Sequence, residues 1–152
     1  MIKIKKGIVY KLALAFWLFI GVVKAHAIDN PDAPDLIGEF VKREASYLLA
    51  IENPKNSTSD YLVAYNDYLN FLNEELEKAA QEMTSKLPYN KRSELTAAQL
   101  NWVKYRDAEF EFIKNTWNRK SFGSSAAISR GGYRASIVRD RILQLLHYTK
   151  NF

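Results

Sequence analysis

The 152-residue chain carries 22 Lys and Arg, 17 Asp and Glu, two His, 13% aromatic residues and no cysteine. Without a thiol there is no disulfide framework, no cysteine nucleophile, no thiolate zinc site and no lipid-modified cysteine anchor. The length fits one domain standing on packing alone.

Residues 1–11 are basic, with Lys3, Lys5, Lys6 and Lys11 and no acid. Residues 12–23 are uncharged and apolar, and Ala25-His26-Ala27 follows with small residues where a signal peptidase reads. Basic, apolar, then small is the order of a secretory signal peptide, and the apolar run falls short of the roughly 20 residues that span a bilayer. The expectation is cleavage after Ala27, a periplasmic or secreted mature chain from Ile28, and no membrane span after cleavage. The segment holds five lysines, so the mature chain balances 17 bases against 17 acids. The net +5 is then a property of the leader and gives no support to a nucleic-acid partner. An asymmetry survives: residues 28–95 carry 13 acids and 7 bases, residues 96–152 carry 4 acids and 10 bases. The two halves attract, and exposed acidic surface belongs to the first.

After an exposed, proline-containing lead-in, Leu36, Ile37, Phe40, Val41, Leu48 and Leu49 recur at helical spacing from Asp35. Asn53-Pro54 and the polar residues after it end that helix. From Ser59 a heptad-like stripe runs through Leu62, Tyr65, Leu69, Leu72, Leu76, Ala79, Met83 and Leu87, with Ser59 or Asp60 as cap and Pro88 as stop. Its outer faces carry Asp67, Glu74, Glu75, Glu77 and Glu82. A third helix is expected from near Ser93 to Trp117, with Leu95, Ala98, Trp102 and Tyr105 inward. Residues 121–125 then read as a Gly-Ser loop, and Gly131-Gly132 as a second interruption before a last helix over 133–147. No strand-like alternation appears. The expected fold is all-α, a small bundle of three to four helices around a long antiparallel hairpin. Residues 28–58 form an N-terminal segment with one helix, 59–152 the main helical domain, and 28–152 one compact unit.

Catalytic chemistry is poorly supplied. The mature chain has one histidine, His147, no glycine-rich phosphate loop and no paired histidines at metal spacing. Neighbouring carboxylates such as Glu109 and Glu111 point in different directions on a helix and cannot act on one bond. The expectation is no enzyme, no catalytic residue, no cofactor and no metal.

The densest polar stretch lies at 95–112. Gln99, Trp102, Arg106 and Glu109 share one helix side, so Arg106 can stack on Trp102 and pair with Glu109. Trp102 and Tyr105 read as core, and Arg106, Asp107 and Glu109 as polar groups that organise the Gly-Ser loop from behind.

The string Gln99-x-x-Trp102-x-x-Tyr105-Arg106-Asp107-Ala108-Glu109, with Gly123-Ser124 and Arg141-x-x-x-Leu145 after it, resembles the LprI-like lysozyme inhibitors, small secreted helical bacterial proteins. The resemblance covers roughly residues 60–147. It implies a protein partner, lysozyme or another peptidoglycan hydrolase, blocked by surface docking. It makes Gln99, Trp102, Tyr105, Arg106, Asp107, Glu109, Ser124 and Arg141 structural or partner-binding residues. The family pattern usually has a cysteine where Phe110 stands and another after the Gly-Ser loop. Absence of both is what loss of a disulfide pair looks like, with Phe110 filling the space. Animal-type lysozymes are basic with an acidic cleft, so the acidic helix face suits steering and Arg119, Lys120, Ser121 or Arg130 suits insertion. The alternative is a non-catalytic immunity or envelope scaffold protein with a different partner, such as a toxin effector. The oligomeric state is open.

Overall fold

The computed structural model describes residues 34–152; the expected signal segment, residues 1–27, lies outside them. Five helices follow in order: α1 Leu36–Ile51, α2 Thr58–Lys86, α3 Tyr89–Thr116, α4 Arg119–Phe122 and α5 Ser125–Thr149. No strand occurs among the described residues, and the fold is all-α as expected.

Helix ends follow local chemistry. The Asp35 carboxylate accepts from the Gly38 amide at 2.9 Å and starts α1. The cap of α2 is Ser57, two residues before the expected start, and Asp60 is its reciprocal partner. The Ser57 hydroxyl accepts from the Asp60 amide while the Asp60 carboxylate accepts from the Ser57 amide. The α3 helix begins directly after Pro88, four residues earlier than expected, because proline's fixed φ is compatible with a helix entry. The residues after Asn118 add a short helical turn, α4, where sequence suggested only a loop.

The most extensive packing joins α2 to α5, not the consecutive helices α2 and α3. The reason lies in the stripes. The α2 helix buries Tyr68, Phe71, Leu72, Leu76, Ala79 and Met83. The α5 helix answers with Ala135, Val138, Ile142, Leu145 and Leu146. By contrast, Ile113 is the one fully buried residue of α3, which packs on the core through the partly buried Leu95, Trp102 and Phe110. Near their starts Tyr65 of α2 meets Gly131 of α5, and near their ends the Thr149 hydroxyl reaches the Met83 sulfur at 3.5 Å. The central pair is therefore parallel. The α1 and α3 helices run antiparallel to it: Arg43 meets Glu75 while Tyr47 meets Tyr68, and Gln99 meets Arg141 while Phe110 meets Arg134.

Gly131-Gly132 does not interrupt α5, which is continuous from Ser125 to Thr149. A Cβ on Gly131 would lie 2.4 Å from the Tyr65 ring carbon Cγ, so glycine is there for close approach and not for a break.

Two buried carboxylates fasten α1. Glu44, 0% exposed, accepts from Arg139 Nε at 2.7 Å and Nη2 at 2.9 Å, and from the Tyr68 hydroxyl, so one group ties α1, α2 and α5. Burial, then the adjacent Glu44 carboxylate, pushes the Tyr68 phenol well above its usual range and keeps it a donor. Glu75, also buried, accepts from Arg43 at 2.6 Å and Lys78 at 2.9 Å. Burial alone would raise the Glu75 pKa, but the two cations outweigh it and hold the carboxyl below its ordinary value. Glu75 was expected on the acidic outer face; it is a buried clamp instead, because the exposed Arg43 and Lys78 side chains reach over it and neutralise it from the solvent side.

Candidate functional site: a buried arginine clamp and an aromatic corner

The residues of the polar string divide between two places. At one end of the bundle, Arg141 of α5 donates from Nε to the Gln99 side-chain oxygen at 2.7 Å and from Nη2 to the same oxygen. Its Nη1 donates to Gln144, whose amide donates to the Tyr148 hydroxyl at 2.8 Å. Arg141 is buried and forms no ion pair among the described residues. Burial lowers its pKa from the usual guanidinium value. A buried cation held by amide oxygens is a strong registration device, since losing an acceptor leaves charge unsatisfied. Gln99 and Arg141 are thus brought together, and they lock α3 to α5.

One to two turns further along α3, the Arg106 guanidinium lies over Trp102 at 5.4 Å and over Phe110 at 5.9 Å, as stacking on the indole required. Its carboxylate is Asp107, at 2.9 and 2.7 Å, and not Glu109. A long guanidinium folding onto its neighbour leaves Glu109 outside that pair. Trp102 is half-buried against the core, but Tyr105 is 53% exposed and is not core. Three residues leave the helix about 60° short of a full turn, enough to carry Tyr105 off a stripe as narrow as that of α3. Phe110 packs against the core and carries the Arg134 guanidinium at 5.3 Å, so an apolar and cation contact links α3 to α5.

The other place is the corner formed by the end of α3, α4 and the start of α5. Asn118 caps α4 by accepting from the Ser121 amide at 3.1 Å. Arg130 of α5 reaches back across the corner and donates from Nη1 to the Trp117 carbonyl. Gly123 takes φ +62, which lets the chain reverse into α5. The Ser125 hydroxyl, not that of Ser124, bonds the loop, donating to the Phe122 carbonyl at 2.7 Å; Ser124 sits at the N-cap without a side-chain cap bond. The loop is therefore organised by Asn118 and Arg130 rather than by Arg106, Asp107 and Glu109.

Around that corner four rings cluster. Trp117 lies 4.7 Å from Tyr133, 5.8 Å from Phe112 in an edge-on contact, and 6.4 Å from Phe122. Phe112, Phe122 and Tyr133 are all exposed, at 56%, 48% and 44%. Arg119, Lys120 and Ser121 are exposed beside them, whereas Arg130 is half-buried by its bond to Trp117. The aromatic cluster was not read from the sequence. Its signal is four aromatic residues at 112, 117, 122 and 133 flanking a turn with no apolar stripe to place them.

No group of three or more His, Asp or Glu side chains is arranged to hold a metal among the described residues, and none of the described helices is long and apolar enough to cross a membrane. Taken with the all-α fold, the cross-helix polar clamp and the aromatic corner define a small helical domain.

The family model for the lysozyme inhibitor LprI matches residues 51–145, more than half of the chain, and the chain belongs to that family. The matched stretch includes both Gln99 and Arg141 and the whole aromatic corner. Comparison with curated proteins and with solved structures finds no match in either.

Proposed function

We propose that this protein is an exported, non-catalytic inhibitor of lysozyme or a related peptidoglycan hydrolase, acting as one unit from Ile28 onward and docking through the corner of α3, α4 and α5. Membership of the lysozyme-inhibitor family carries the reading. The corner supports it: exposed aromatic residues with adjacent cations are the composition of interface hot spots. Arg119 and Lys120 are the free cations there, and they suit an acidic cleft. Arg130 serves as the strut beneath them, since its guanidinium is engaged by the Trp117 carbonyl. Steering toward a basic enzyme falls to Asp67, Glu74 and Glu77, the exposed acids of α2 beyond its capping box.

The test is titration of the purified protein into an animal-type lysozyme acting on a cell-wall suspension. Saturable loss of clearing near equal stoichiometry is expected. Arg119→Ala with Lys120→Ala should weaken inhibition at least about tenfold, roughly the worth of one desolvated charge contact, with the melting temperature unchanged. No inhibition at large excess would refute the reading, and full inhibition by the double variant would refute the assigned surface.

A further inference from the structure

A second concave site lies between the first halves of α2 and α5. It has a volume of about 180 Å³ and is lined by Leu62, Tyr65, Asn66, Leu69, Arg130 and Arg134, among others. Every side chain in it that carries a polar group is a donor or can act as one: two guanidiniums, a carboxamide and a phenol. No carboxylate lines it. The ion pairs of the described residues engage Arg43, Arg106 and Arg139, but neither Arg130 nor Arg134. Asp67, next in sequence to Asn66, pairs with neither. Arg130 spends one N–H on the Trp117 carbonyl, and Arg134 makes a long 3.5 Å bond to the Phe110 carbonyl and a stack on its ring. The Arg134 Nε is buried without any partner. Two like charges one helical turn apart repel, and burying them partly without a counter-charge adds a desolvation cost. An anion in the pocket relieves both.

We propose that this pocket is an oxyanion-binding site in which Arg130 and Arg134, one turn apart on α5, take a single carboxylate or phosphate group, with Asn66 donating from the α2 side. The volume admits such a group. Guanidinium forks match the planar carboxylate and the tetrahedral phosphate alike. The source is either an acidic side chain or chain terminus of a protein, or a free phosphate. The site does not depend on the lysozyme reading, although it adjoins the proposed docking corner through Arg130.

Titration of the purified protein with inorganic phosphate, with acetate, and with chloride at matched ionic strength tests it, following the arginine Nε–Hε resonances by NMR. Saturable shifts of Arg130 and Arg134 with phosphate or acetate, absent with chloride, are expected. Preference for acetate points to a protein carboxylate, and preference for phosphate to the free ion. Arg134→Gln should weaken binding at least about tenfold. Asn66→Asp, nearly isosteric, supplies an internal carboxylate; it should abolish anion binding and raise the melting temperature, which a variant that merely misfolds cannot do. Shifts that follow ionic strength alone, or undiminished binding by Asn66→Asp, would overturn the proposal.

Discussion

Removing Arg139 should destabilise the fold more than neutralising Glu44, although Arg139 is the more exposed of the two. Its side chain is 34% exposed, whereas Glu44 is fully buried. Arg139→Ala strands the Glu44 carboxylate with the Tyr68 hydroxyl as its remaining donor and also removes the guanidinium lying 5.9 Å over Phe40. Stranding a buried charge costs about 3–5 kcal/mol. Unfolding entropy of about 2.1 cal/mol/K per residue over roughly 120 residues converts each kcal/mol into about 4 °C, so the expected loss is about 12–20 °C. Glu44→Gln keeps an acceptor oxygen for Arg139, which can turn toward water, and should cost roughly half as much. The decisive comparison is the double variant. If the penalty is the unpaired carboxylate, Glu44→Gln introduced into Arg139→Ala should raise the melting temperature measured by far-UV circular dichroism. A further fall in the double variant, with the two losses adding, would refute the assignment of the cost to buried charge.

The two adjacent glycines should respond with opposite sign: Gly131→Ala drives a Cβ into Tyr65 and should cost about 1–3 kcal/mol, whereas at Gly132 the nearest atom is 3.5 Å away and alanine should stabilise by up to about 1 kcal/mol through helix propensity. Gln99→Leu removes the acceptor of two Arg141 donors and should lower stability by about 1–3 kcal/mol, while Gln99→Glu, which offers a carboxylate, should not; equal losses in a denaturant titration would contradict the clamp. Because the folded pKa of Glu75 is depressed, its contribution is present above the unfolded carboxyl value near 4.5 and lost as pH falls through the folded value. Melting temperatures across pH 2 to 6 should therefore decline less steeply below about 4.5 in Glu75→Gln than in the parent.

The helices themselves were legible because their apolar residues repeat every three and four positions, and Pro88 and the Ser57–Asp60 region mark their ends. Which helix packs on which was not. A stripe says that a face is buried, not against what, and proximity in sequence favours α2 with α3 until the thinness of the α3 stripe is weighed. Glu44 and Glu75 went unread as clamps, yet each interrupts an apolar face: Glu44 follows Phe40 by one turn, and Glu75 sits between Leu72 and Leu76. In the site, the Arg106–Trp102 stack followed from spacing alone, but the choice of Asp107 over Glu109 depends on a side-chain fold that helical geometry does not dictate. The Gln99–Arg141 bond spans 42 residues, beyond any periodicity argument.

The parallel pairing of α2 with α5 has a kinetic consequence. Its partners, such as Met83 and Thr149, stand 66 residues apart, so the core closes only across a long loop and after α5 exists. Loop-closure entropy must be met before those contacts reward it, and high contact order slows folding. A growing chain therefore carries the part of the α2 apolar face that α5 covers unpaired until α5 is made. That interval leaves the chain without its closed core, and so available to any chaperone that binds exposed apolar helix.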